Sequence, residues 1–154
     1  MQIEVVINRK KVSLDVQYDE FLADTLRAYG LSSVRKGCDT SCCGLCSVWL
    51  DDKPALSCTI LSWRADGREI TTIEGVEAEA EAFARILAAE GAEQCGFCSP
   101  GFIMTVLAMK KELDNPRESD IIHYLTGNLC RCTGYMGQLR AVKTYLGVQD
   151  ENSR

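Results

Sequence analysis

Nine cysteines stand among 154 residues, and they fall into two groups. Cys38, Cys42, Cys43, Cys46 and Cys58 make the first; Cys95, Cys98, Cys130 and Cys132 make the second. Buried structural cysteines scatter along a chain, whereas metal ligands must converge. A disulfide framework belongs to secreted proteins. Here the first residues lack a signal peptide's basic stretch and small-residue cleavage site, and an odd count would leave one thiol over. The lone histidine, His123, leaves all-thiolate sites as the available metal chemistry. The expectation is a metal-binding protein of a reducing compartment, the cytoplasm.

Read through Cys43, the first group has the spacing C-x4-C-x2-C-x11-C. Its first three positions match the plant-type ferredoxin spacing for a 2Fe–2S cluster. Three thiolates converging from one tight loop need glycine at the corners, and Gly37 and Gly44 flank them. Cys42 would give C-x3-C-x3-C, which matches no standard template, and is read as a bystander. Zinc sites pair two C-x2-C knuckles or add histidine, and only Cys43 and Cys46 form a knuckle here. The second group pairs C-x2-C (Cys95, Cys98) with C-x-C (Cys130, Cys132), separated by 31 residues. Each pair precedes a helical segment. Both are therefore expected at helix N-termini, whose free N–H groups and partial positive charge suit an anionic centre.

The elements that must position these groups differ between the two halves. Residues 2–7 and 12–16 alternate as a hairpin around Asn8-Arg9-Lys10. A helix is predicted over 19–29, stopped by Gly30, followed by strands at 46–50, 55–60 and 68–73. Strands, a helix, then more strands is the order of a β-grasp fold. Residues 77–90, 100–113, a segment capped by Ser119 or Asp120 through 125, and 135–146 read as four helices. Residues 149–154 read as a frayed tail. The fold class is thus α+β, with a boundary near Gly75 that divides 1–76 from 77–154. No Pro/Gly/Ser-rich linker separates the halves, so they are expected to pack together. Each is near the lower size limit for a self-sufficient core, and a metal centre in each would staple it.

Composition narrows the function. About 46% apolar and 25% charged residues describe a folded globular chain, and no run of 18 apolar residues spans a membrane. A net charge of −5 argues against nucleic acid as the main partner. No histidine, carboxylate pair or activated thiol is arranged for substrate chemistry. His123 reads as a surface or packing residue, Glu77, Glu79 and Glu81 as a solvated helix start, Trp49 and Trp63 as core or interface, and Arg131 as structural.

Three stretches carry a specific resemblance: Cys38-Asp39-Thr40-Ser41 with Cys43-Gly44-Leu45-Cys46, Gln94-Cys95-Gly96-Phe97-Cys98-Ser99-Pro100-Gly101, and Gly127-Asn128-Leu129-Cys130-Arg131-Cys132-Thr133-Gly134-Tyr135. In this order the chain resembles, over nearly its whole length, the iron–sulfur subunit of the molybdenum hydroxylases, the xanthine dehydrogenase, aldehyde oxidoreductase and carbon monoxide dehydrogenase family. The resemblance implies an N-terminal β-grasp 2Fe–2S ferredoxin domain and an all-α four-helix 2Fe–2S domain. Cys38, Cys43, Cys46 and Cys58 would hold the first cluster, and Cys95, Cys98, Cys130 and Cys132 the second. It implies an oxidoreductase subunit that carries electrons from a molybdenum–pterin centre on a large subunit to FAD on a middle subunit, in a dimer of heterotrimers. The substrate expected first is xanthine or another N-heterocycle; aldehydes, carbon monoxide and aromatic thioesters stay open. Cys42, Leu45, Ser99 and Gln138 depart from the family's usual residues, Gln138 replacing an aliphatic one. A free-standing two-cluster carrier and a zinc-stabilised interaction module are the alternatives.

Overall fold

The structure, a computed structural model, describes residues 1–148, so the tail expected at 149–154 lies outside the described residues. The elements are β1 (Gln2–Ile7), β2 (Lys10–Asp15), α1 (Leu22–Ala28), β3 (Ser47–Leu50), β4 (Lys53–Leu56), β5 (Glu69–Thr71), α2 (Glu77–Ala89), α3 (Ser99–Glu112), α4 (Glu118–Tyr124) and α5 (Met136–Leu146). Short 3-10 turns fill Ser57–Thr59, Ser62–Ala65, Ile73–Gly75 and Leu125–Gly127.

The first half is a five-stranded sheet in the order β2-β1-β5-β3-β4. β1 runs parallel to β5, and the other neighbours are antiparallel. Alternation along β1 turns Ile3, Val5 and Ile7 inward, where they meet Leu22, Ala23 and Leu26 of α1. The β1–β2 reversal needs two residues only. Asn8 and Arg9 take positive φ, 49° and 67°, and Lys10 already belongs to β2. Helix α1 is shorter than the expected 19–29 because Phe21 is extended and bridges to Leu61, which delays the first helical turn to Leu22.

The strand expected at 55–60 lies earlier, at Lys53–Leu56. Asp51 and Asp52, at φ 51° and 61°, complete the reversal before Pro54 is reached. Pro54 is tolerated because β4 is an edge strand. From Ser57 the chain curls into a 3-10 turn, and that turn carries Cys58. β3 and β5 form where expected but are trimmed, β5 to three residues.

The second half has the four expected helices. α3 is its axis, buried from Gly101 to Met109, which is why its apolar residues run without a clean stripe. Phe83 of α2 packs against Phe102 of α3 and Tyr145 of α5, with ring centroids 6.0 and 4.9 Å apart. α4 starts earlier than expected. Arg117, not Ser119 or Asp120, is its N-cap, and the Asp120 carboxylate accepts the Arg117 backbone N–H at 2.9 Å from inside the first turn.

The halves pack directly. Trp49 projects from β3 into the helical core, where its Nε1 donates to the Met104 carbonyl at 3.1 Å. Gly101 of α3 lies against Gly44 and Leu45; a side-chain carbon at Gly101 would stand 2.9 Å from the Leu45 Cα. The architecture is α+β, a β-grasp half followed by a four-helix half.

Candidate metal centres

The loop between α1 and β3 gathers the first four thiols. Cys38 interacts with Cys43, Cys43 with Cys46, and Cys46 with Cys58, which arrives on its 3-10 turn. Left-handed backbone at Ser41 (φ 56°) and Gly44 (φ 71°) bends the loop tightly enough to bring its three cysteines together. Gly37 serves differently. It is no left-handed corner, and it is small because the Leu45 side chain sits against it.

The backbone is arranged to support negative sulfur. The Cys43 thiol and then the N–H groups of Cys42, Cys43 and Thr40 bring the Cys38 thiol down to about 6. Burial pushes Cys43 up, against N–H donors from Leu45 and Gly37. Burial pushes Cys46 to about 11, despite the Cys58 N–H. Four adjacent thiols cannot all ionise without compensating positive charge; bound metal supplies it and deprotonates them outright. A soft, all-sulfur donor set with N–H groups aimed at the sulfurs fits iron–sulfur chemistry and does not fit magnesium or calcium.

Cys42 stands apart. Its side chain is exposed, its sulfur lies 3.1 Å from Thr40 Oγ1, and its contribution to the site is its backbone N–H toward Cys38.

The second four thiols also converge. Cys132 Sγ lies 3.5 Å from Cys95 Sγ, and Cys98 interacts with Cys130. Cys98 is the N-cap of α3, as expected of a helix start. The other pair is not at a helix start. α5 begins at Met136, beyond a turn formed by Gly134 (φ 67°) and the N-cap Tyr135 (φ 69°), so Cys130 and Cys132 lie in a loop. Donors within that loop replace the helix dipole. Burial raises the Cys130 thiol, but the Thr133 hydroxyl and the N–H groups of Thr133 and Cys132 outweigh it, and the net shift is down. The Phe97 N–H leads a downward shift of Cys95, while hydrogen bonding with Cys95 raises Cys132. Burial drives Cys98 up to about 11. Tyr135 Oη accepts the Cys130 N–H at 3.0 Å, and Gln94 Nε2 donates to the Cys132 carbonyl at 3.2 Å.

The two sets of thiols are neighbours. The Leu129 N–H donates to the Cys43 carbonyl at 2.9 Å, so a ligand-type residue of the first set is bonded to the residue preceding Cys130 of the second. Cys43, Cys98 and Cys130 line one small enclosed space with Leu45, Leu129 and Gln138. Arg35 adds a clasp. Its guanidinium donates to the Gly96 carbonyl at 2.5 Å and covers the Phe97 ring.

Elsewhere, His123 and Arg131 are exposed, and the Glu77, Glu79 and Glu81 run is solvated at the start of α2. Trp63 is surface-lying, its Nε1 donating to the Tyr18 carbonyl at 3.2 Å. Gln138 has a place its sequence position did not reveal. Its amide is buried against the second set of thiols, with Nε2 3.9 Å from Cys98 Sγ.

Comparison with known proteins agrees with this geometry. A model for a 2Fe–2S iron–sulfur cluster binding domain matches residues 5–70, and one for a 2Fe–2S binding domain matches residues 72–143. The chain is 43% identical over 141 residues to the xanthine dehydrogenase iron–sulfur-binding subunit of Escherichia coli O157:H7, covering 86% of each. It is 36% identical over 148 residues to the nicotine 6-hydroxylase small subunit of Paenarthrobacter nicotinovorans, covering 92% of this chain and 87% of that one. Among solved structures it superposes on quinoline 2-oxidoreductase from Pseudomonas putida 86 with a TM-score of 0.86 and 34% identity, covering 92% of this chain and 90% of that one.

Proposed function

Because this chain belongs to the family of 2Fe–2S iron–sulfur subunits of molybdenum hydroxylases, we propose that Cys38, Cys43, Cys46 and Cys58 hold one 2Fe–2S cluster and Cys95, Cys98, Cys130 and Cys132 the other. The chain is an electron-transfer subunit of an oxidoreductase. Its clusters supply one-electron transfer between a molybdenum–pterin centre and a flavin carried by partner subunits. The protein's own part is to ligate, to space and to tune.

The hydrogen bond from Leu129 to the Cys43 carbonyl supports this reading most directly, because it gives the two thiol sets a short connection through the backbone. Cys95 and Cys132 are the exposed edge of the second set, suited to the molybdenum–pterin side. Ile122, Leu129, Tyr135 and Met136 line one apolar groove and are 44–62% exposed, a face that a larger partner would cover. That face counts against the alternative of a free-standing carrier. In this reading residues 1–76 and 77–154 are the two cluster domains. The partners are a large molybdenum-binding and a medium FAD-binding subunit, assembled as a dimer of heterotrimers in the cytoplasm. No helix among the described residues is long and apolar enough to cross a membrane. The substrate class is an aromatic N-heterocycle such as xanthine, in line with the xanthine, nicotine and quinoline named for the similar proteins.

Affinity purification of the tagged chain from its native host tests the assignment. Two larger chains bearing molybdenum and FAD should co-purify, and the complex should reduce its clusters when given xanthine or another N-heterocycle. Iron-loaded chain arriving alone would favour the free-standing carrier.

A further inference from the structure

Gln138 sits on the first turn of α5 with 4% of its surface exposed, the one buried amide side chain among the described residues. A buried amide is retained at a cost unless its polar atoms find partners. Its partners are all at the second thiol set. Nε2 points toward Cys98 Sγ at 3.9 Å, within reach for a sulfur acceptor, and Oε1 lies 3.2 Å from Thr133 Oγ1. That hydroxyl is also 3.2 Å from Cys130 Sγ and accepts the Tyr135 N–H at 3.3 Å. Thr133 has one proton and two acceptors, the Cys130 sulfur and the Gln138 oxygen. Gln138 therefore touches one sulfur with a donor of its own and biases the donor that serves another. It also lines the small enclosed space shared with Cys43, Leu129 and Cys130, between the two thiol sets.

We infer that Gln138 is a positioning residue that tunes the second cluster through its N–H···S hydrogen bond to Cys98, which outweighs the opposite, indirect effect of its Oε1 drawing the Thr133 proton away from Cys130. The physical basis is charge. Reduction adds an electron to an already anionic centre, and a donor aimed at a ligand sulfur stabilises the more negative state. Hydrogen bonds to the sulfurs thus raise the reduction potential. At the first set the N–H groups aimed at Cys38 and Cys43 come from the backbone, and the side-chain contact is the Ser41 hydroxyl, 3.6 Å from Cys58 Sγ; Gln138 reaches none of these sulfurs. Gln138 accordingly favours electron residence on the second cluster relative to the first. The inference rests on the assignment of Cys95, Cys98, Cys130 and Cys132 as ligands. Iron and sulfide content of the wild-type protein tests that assignment separately.

The experiment is a redox titration of the holo complex followed by low-temperature EPR, for wild type, Gln138→Leu, Gln138→Met and Gln138→Glu. The apolar variants should shift the second cluster's one-electron equilibrium several-fold toward the oxidised form, up to about tenfold, which is about 59 mV. Gln138→Glu, which replaces the donor with an acceptor, should shift it further the same way. The first cluster's midpoint should not move. An unchanged second midpoint in the apolar variants, or an equal movement of both midpoints, overturns the proposal. Loss of the second cluster's iron in both apolar variants also overturns it, because Gln138 would then serve retention and not tuning.

Discussion

Cys42 and Cys43 are adjacent in the chain and opposite in environment. One sulfur is exposed beside Thr40; the other is buried and engaged with Cys38. Cys42→Ser should therefore keep the visible absorption of both clusters, while Cys43→Ser should lose that of the first and about two iron per chain. The reverse result would reassign the ligand. The spacing C-x4-C-x2-C of plant-type ferredoxins points to Cys43 over Cys42, and the burial of Cys43 beside Cys38 supports that reading. Gln138 was legible only as an unusual polar residue. Its role depends on α5 turning that amide onto Cys98, 40 residues away, and neither helical periodicity nor local spacing carries such a contact.

At the scale of elements, the close approach of α3 to the first cysteine loop holds the two thiol sets together. Gly101 has Gly44 and Leu45 backbone against its Cα, so Gly101→Ala must push helix and loop apart. It should destabilise the protein by about 1–3 kcal/mol, as overpacking does, and lower its melting temperature. Gly127→Ala, with open space around it, is the control and should stay close to wild type. Thermal unfolding of the two variants side by side decides it. Helices α2 and α5 and the first hairpin were legible because their hydrophobic periods are regular, and α3 because a long apolar run follows Pro100. β4 was misplaced because the positive φ of Asp51 and Asp52 shortens the reversal, a conformation that aspartate only permits. Cys130 and Cys132 were expected at a helix start, but Gly134 and the left-handed Tyr135 hold them in a turn before it.

The whole molecule is two small cores joined where the metal chemistry lies. Trp49 crosses from the sheet into the helical core, Arg35 clasps Gly96, and Leu129 bonds to Cys43. The formal charge of −5 belongs to the metal-free chain; two oxidised tetrathiolate 2Fe–2S centres at −2 each would bring it to about −9. Much of that added charge would be concentrated in the loops that carry the two thiol sets. The most direct test of the account is iron and acid-labile sulfide analysis of the purified protein, combined with EPR after dithionite reduction. The account predicts about four iron and four sulfides per chain and two resolvable signals of different potential, one from each thiol set. Zinc in place of iron, or a single signal equal to one cluster per chain, would contradict it.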